Sequence, residues 1–155
     1  MLKKYLIIFL ISMVPLIELR GAVPIAINAY DLPIVNSMII SIIGNMLPVP
    51  FIYLFARKIL EWGKDKKLIS KPCKFFLTKG EKAGRKIEKN LGKGVFIALT
   101  IFVGIPLPGT GAWSGTLAAS LLDLKFKDTI ISVLAGVLLA GIIMLILALG
   151  FKVIL

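Results

Sequence analysis

Glu18 and Arg20 stand two residues apart in PLIELRGAVP (15–24), between apolar runs at 5–14 and 34–55. A carboxylate and a guanidinium in such surroundings can pair, hold an ion or proton, or bind a charged group of a ligand. On a helix, residues i and i+2 point to nearly opposite sides. In extended chain they project to the same side. Unwound, the two can pair directly; helical, each needs another partner. An unpaired charge at mid-bilayer costs about 2.5–3.5 kcal/mol on the insertion scale, so a pair or a polar cavity is expected. The plainer alternative is an interfacial loop with both charges in water. Pro15, Gly21 and Pro24 interrupt the helix around them.

A second interruption lies at IPLPGTG (105–111). Pro106 and Pro108 remove two backbone donors and push the residues before them toward extended geometry. Gly109 and Gly111 permit conformations that other residues avoid, and Thr110 brings a hydroxyl for a freed backbone group. A helix starting at Ala112 would present unpaired N–H groups and a partial positive charge at the break. Such an end suits an anion or a polar head group. Arg20 and this helix end together would bind an anionic group. Glu18 would be the ion or proton handle, or the partner that holds Arg20. Trp113 reads either as an interfacial anchor or as a lid over the break. Asn45, in GNMLPVP (44–50), reads as glue between helices or as part of the site.

Enzyme chemistry has little to stand on. The chain has no histidine, and its single cysteine, Cys73, allows no intramolecular disulfide. No Cys, Asp or Glu cluster has metal-ligand spacing. No catalytic residue, metal or cofactor is expected.

The elements that must position these groups are apolar. Of 155 residues, 58% are hydrophobic, and the mean hydropathy is +0.96. That exceeds the usual apolar share of a soluble domain and predicts an integral membrane protein. Four apolar pieces appear: 5–30, broken near 15–24; 34–55; 94–122, broken at 105–111; and 129–151. The second and last are long enough to span. The flanks of each break are too short to cross about 30 Å at 1.5 Å per residue. The basic, apolar N-terminus looks like a signal peptide, but no small-x-small site follows it.

The alternation of broken and unbroken pieces suggests an internal repeat. At an offset of 90, Gly21-Ala22 falls on Gly111-Ala112. At 91, Ile39-Ile40-Ser41 falls on Ile130-Ile131-Ser132 and Leu47 on Leu138. The polar corners NAYDLP (28–33) and DLKFKD (123–128) correspond in order. The reading divides the chain into a first repeat (1–56), a basic loop (57–93) and a second repeat (94–155). Between Arg57 and Lys93 lie thirteen Lys or Arg and four Asp or Glu, which is +9 of the net +11. Charge of this density beside apolar spans places the loop in the cytoplasm. Phe76, Gly80, Ala83, Ile87 and Leu91 fall near one helical face. The loop is then either a basic helix on an anionic leaflet or a solvated, topology-setting segment. Nucleic-acid binding is not expected, since the juxtamembrane position accounts for the charge.

ELRGAVP (18–24), GNMLPVP (44–50) and PLPGTGAW (106–113) resemble the small multidrug export family of bacterial and archaeal membrane proteins. The resemblance covers nearly the whole chain. That family is in turn similar to the DedA superfamily. It implies an all-α integral membrane protein of two inverted repeats, each a re-entrant hairpin followed by one transmembrane helix. The hairpins would meet mid-membrane and move a lipid, a lipid-linked phosphate or another amphiphile. The match to DedA-like proteins rests on Glu18 and Arg20, and the second hairpin has no carboxylate. The expected place is a prokaryotic inner membrane, multi-pass, with membrane lipids as partners through the basic loop and room for a homodimer. Re-entrance puts Lys3, Lys4 and Lys152 outside, against the positive-inside rule; four full crossings would put them inside. The +9 block dominates either way, and the repeat and the resemblance favour re-entrance. A holin-like pore former has the same size and charge but needs no matched breaks. A structural membrane partner is the remaining alternative.

Overall fold

The computed structural model describes residues 1–66, 70–71, 73–74, 78, 93–107 and 109–154. Pro108 and the apolar face at Phe76, Gly80, Ala83, Ile87 and Leu91 lie outside the described residues. Among those described, every regular element is helical.

The first half contains α1 (Leu2–Met13) and α2 (Glu18–Pro24), continued by a π-helical turn (Ile25–Ala29). It ends in α3 (Ile34–Met46) and α4 (Pro48–Gly63). The second half has α5 (Lys93–Gly104), α6 (Ala112–Leu121) and α7 (Phe126–Ile154). Each half therefore runs short helix, break, short helix, corner, long helix. Local chemistry sets the breaks. Val14, before Pro15, is extended at φ −71° and ψ 127°, as a residue preceding proline must be. Leu16 and Glu18 then take left-handed backbone, φ 76° and 51°, at a cost of roughly 1–2 kcal/mol each for a residue with a Cβ. Pro24 sits inside a helical run, and the wider π turn follows directly. The clash of its ring with the preceding turn relaxes the ladder there.

Helices α3 and α4 bend only at Leu47, beside Pro48 and Pro50, and together form one apolar run, Ile34–Gly63. The span expected to end at 55 continues, so Arg57, Lys58 and Glu61 lie on helix rather than in a loop. A charged residue ends an apolar run without ending a helix. Ile34–Gly63 and Phe126–Phe151 are long and apolar enough to cross a membrane, and most of each is uncovered by the rest of the protein. Phe51, Phe55, Ile59, Ile142 and Ile146 are all exposed, an apolar surface suited to lipid.

Helix crossings use small and hydroxyl-bearing residues, as lipid-embedded packing favours. Crossings of this kind occur in both halves. Ser12 donates its hydroxyl to the Ser41 carbonyl, and Thr100 donates to the Ser132 carbonyl. A Cβ on Gly44 would lie 2.6 Å from the Phe9 carbonyl oxygen; one on Gly136 would lie 2.8 Å from that of Thr100. Ser41 and Ser132 are residues aligned by the 91-residue offset. Gly21-Ala22 and Gly111-Ala112 are not structural equivalents: the first pair lies within α2, while Gly111 precedes α6 as its cap.

The pairings also fix direction. Tyr5 meets Asn36 and Ser12 meets Ser41, so α1 and α3 run the same way. Thr100 meets Ser132 and Gly104 meets Leu139, so α5 and α7 do likewise. The core between the halves holds Leu19, Val23, Val49, Val103, Ala112 and Val137.

Candidate functional site

The two breaks meet, and each supplies what the other lacks. Helix α6 opens at Ala112 with its first N–H groups free of intrahelical partners. Glu18, 3% exposed, takes two of them: Ala112 donates to Oε2 at 3.2 Å and Trp113 to Oε1 at 3.1 Å. Helix α5 ends at Gly104, leaving carbonyls free. Arg20 donates through Nη2 to Val103 and Ile105 at 3.2 and 3.1 Å, and through Nη1 to Leu107 at 2.6 Å. Nη2 also donates to the Thr110 hydroxyl at 2.8 Å, which lies 2.8 Å from the Ile105 and Leu107 carbonyls.

The electrostatic logic follows from the helix ends. A carboxylate favours an N-terminus and a guanidinium a C-terminus, each by about 0.3–1 kcal/mol at the surface and up to roughly 2 when partly buried. Charge-assisted bonds add to this. Among the described residues no ion pair joins Glu18 to Arg20. Glu18 opens α2 with left-handed backbone and Arg20 lies within it, and each charge finds its own partner on the second break.

The second break answers in kind. Trp113 donates its indole N–H to the Met13 carbonyl at 3.1 Å, where α1 ends. Half-buried, Trp113 therefore lies over the first break. Gly111, at φ 119°, brings the chain past the Glu18 carboxylate, and a Cβ there would sit 2.8 Å from Glu18 Cδ. Gly109 is also left-handed at φ 83°. Gly21 packs against Ile17, Pro24 ends α2, and Pro106 follows the end of α5.

The structure thus gathers Glu18, Arg20, Thr110, Gly111 and Trp113, with Pro106 beside them. Asn45 is 2% exposed and its Oδ1 has no partner among the described residues; no hydrogen bond links it to this group. The N–H groups expected to face a ligand are occupied by the protein's own carboxylate.

Residues 18–143 match the family described as "Putative small multi-drug export protein". The chain belongs to this family. No curated protein and no solved structure matches it. The family match and the two long apolar helices make it a membrane protein. The matched stretch opens on Glu18, just after the first break, and includes the second.

One polar cluster escaped the sequence reading. Tyr53 of α4 donates its hydroxyl to the Leu124 carbonyl, and Ser120 donates to the Tyr53 carbonyl at 2.8 Å. Arg57 pairs with Asp123 and, at 3.0 Å, with Glu61. The Tyr53 and Phe126 rings meet edge to face at 5.2 Å. Only the i, i+4 spacing of Arg57 and Glu61 gave a sequence signal; the tie to the second corner did not.

Proposed function

We propose that this family member is a multi-pass transporter of a prokaryotic membrane, moving an amphiphile with an anionic head along a path where two re-entrant hairpins meet. The observation that carries the reading is the grip of Glu18 and Arg20 on both ends of the second break. Non-helical backbone survives at membrane depth only inside protein or beside a wet cavity. Here the second break's free groups are bonded by charges from the opposite half. Charges held by hydrogen bonds to helix ends are exchangeable: an anionic head can replace Glu18 on the Ala112 and Trp113 N–H groups. The closed arrangement is then the resting one, with Glu18 in the substrate's place.

Re-entrance is supported by where the hairpin ends lie. Lys4 donates to the Tyr30 carbonyl at 3.2 Å, so the start of α1 is level with the first corner. Asp123, at the second corner, pairs with Arg57 near the other end of α3–α4. From residue 33 to residue 57 a helix rises about 36 Å, against roughly 30 Å of hydrocarbon. The two corners sit at opposite ends of a span, as inverted halves require. The +9 block between Arg57 and Lys93 makes the second-corner side cytoplasmic.

The test is transport in proteoliposomes, offering a lipid-linked phosphate and a cationic amphiphile in parallel. Uptake of the phosphate, abolished by Glu18→Gln with the protein still folded, is expected. Normal transport by Glu18→Gln, or no transport of either compound, overturns the reading.

A further inference from the structure

Trp113 has a second neighbourhood besides the break. Phe51, Phe55 and Ile59 on α4 and Trp113, Leu117 and Leu121 on α6 line an apolar groove of about 660 Å³. Each set recurs at four residues, so the groove follows both helices along their length. Ser120 bonds Tyr53 and Asp123 pairs with Arg57, so α4 and α6 run the same way. One end of the groove therefore lies at Trp113, beside the break. The other opens at Ile59, where α4 carries Arg57 and Lys58 and leads on to Lys64 and Lys66.

We propose that this groove holds the hydrocarbon tail of an anionic membrane amphiphile, with the tail end against Trp113 and the head beside Lys58 and Lys64. The inference rests on the transport reading and gives its substrate a docking position outside the break, occupied before the head reaches the Ala112 and Trp113 N–H groups. Three features of the groove select this occupant. The volume falls in the range of about 300–1,000 Å³ typical of small-molecule sites. Its walls are aliphatic and aromatic side chains, so a tail meets no unpaired polar atom. Its mouth opens where the +9 block begins, which favours a negative head. A tail in a groove touches side chains on both flanks, whereas one on a flat helix face touches them on one, and dispersion contacts add up accordingly. Occupation also reaches the interlock directly. The Trp113 amide is held by Glu18, and its indole holds the Met13 carbonyl.

Trp62→Phe leaves Trp113 as the only tryptophan, since the chain has two. This variant is placed in phosphatidylcholine vesicles and titrated with hexadecyl phosphate brominated near the chain end. Hexadecanol and hexadecyltrimethylammonium carrying the same bromine are the comparisons. Saturable quenching of Trp113 by the phosphate, at a mole fraction about tenfold below either comparison, is expected. Lys58→Gln combined with Lys64→Gln should bring the three probes within about twofold of one another. Equal quenching by all three heads in the starting variant marks an ordinary lipid-facing surface and overturns the proposal. Quenching by none marks a face covered by a second copy and overturns it too. Head-selective quenching without transport keeps the groove and removes the transport reading; transport without head-selective quenching does the reverse.

Discussion

Gly111 lacks a side chain where the carboxylate of Glu18 lies, and a Cβ there would come within 2.8 Å of Glu18 Cδ. The same glycine holds φ 119°, a conformation that costs other residues on the order of 1–3 kcal/mol. Gly111→Ala therefore meets two penalties, one from the backbone and one from Glu18. Thermal unfolding in detergent should show a loss of at least about 2 kcal/mol. Adding Glu18→Ala should return part of it, with a coupling of roughly 1 kcal/mol in the double-mutant cycle. Strict additivity would show that the carboxylate does not press on this position.

Glu18 and Arg20 each hold a different helix end, and this decides what their variants do. Glu18→Gln keeps the size and one acceptor, so accumulation should stay near normal while transport is lost. Glu18→Ala uncaps α6 and should cost about 1–2 kcal/mol on the scale of lost caps. Arg20→Lys should also fail, because one ammonium cannot reproduce the planar fork that reaches three carbonyls. Neutralising both should not rescue either single variant. Rescue by the double variant, read as recovered expression, would show a direct ion pair instead.

Topology is accessible through cysteine labelling, because only Cys73 must be removed. In a Cys73→Ala background, Lys4→Cys and Asp31→Cys should react with an impermeant reagent from outside. Lys66→Cys and Lys125→Cys should be protected. Equal protection of residues 4 and 66 would instead establish four full crossings.

The tie between α4 and the second corner should be weak at its charged part and stronger at its neutral part. Arg57 and Asp123 are about one-third and one-half exposed, and exposed ion pairs are worth roughly 0.2–1 kcal/mol. Asp123→Asn should cost no more than that, and less in high salt. Tyr53→Phe leaves the Leu124 carbonyl without its donor and should cost about 0.5–1.5 kcal/mol. A larger, salt-dependent loss in Asp123→Asn would reverse this ranking.

The breaks were legible in the sequence because proline and glycine act on their own few residues. Pro15 and Pro106 end helices wherever the chain later goes, and the α6 start at Ala112 followed from GTG before it. The unbroken spans were legible from length and apolarity, but the end of α4 was not: Arg57 and Lys58 interrupt hydropathy while the backbone continues to Gly63. Partnership was least legible. Glu18 and Arg20 are close in sequence, which suggested a pair, yet their partners lie 94 and 87 residues away. Of the residues aligned by offset, Ser41 and Ser132 both offer carbonyls to hydroxyls at crossings, while Gly21 and Gly111 hold different places in their helices. Ser41 and Ser132 sit at crossings where space is scarce. Gly21 and Gly111 answer to unrelated neighbours, Ile17 and Glu18.

The reciprocal capping of the breaks has a consequence for how the chain is made. Glu18 and Arg20 leave the ribosome long before the backbone that will receive them, since Trp113 follows Glu18 by 95 residues. At about 5–20 residues per second that is a wait of roughly 5–20 s. During it the first hairpin carries a carboxylate, a guanidinium and a frayed helix end with no native partner. Such a hairpin has no reason to settle at membrane depth. On the re-entrant reading, it would stay at the interface or in the care of the insertion machinery until the second hairpin arrives. Biogenesis of the first half is therefore completed by synthesis of the last third, and a nascent chain stopped before Ala112 should remain extractable from the membrane.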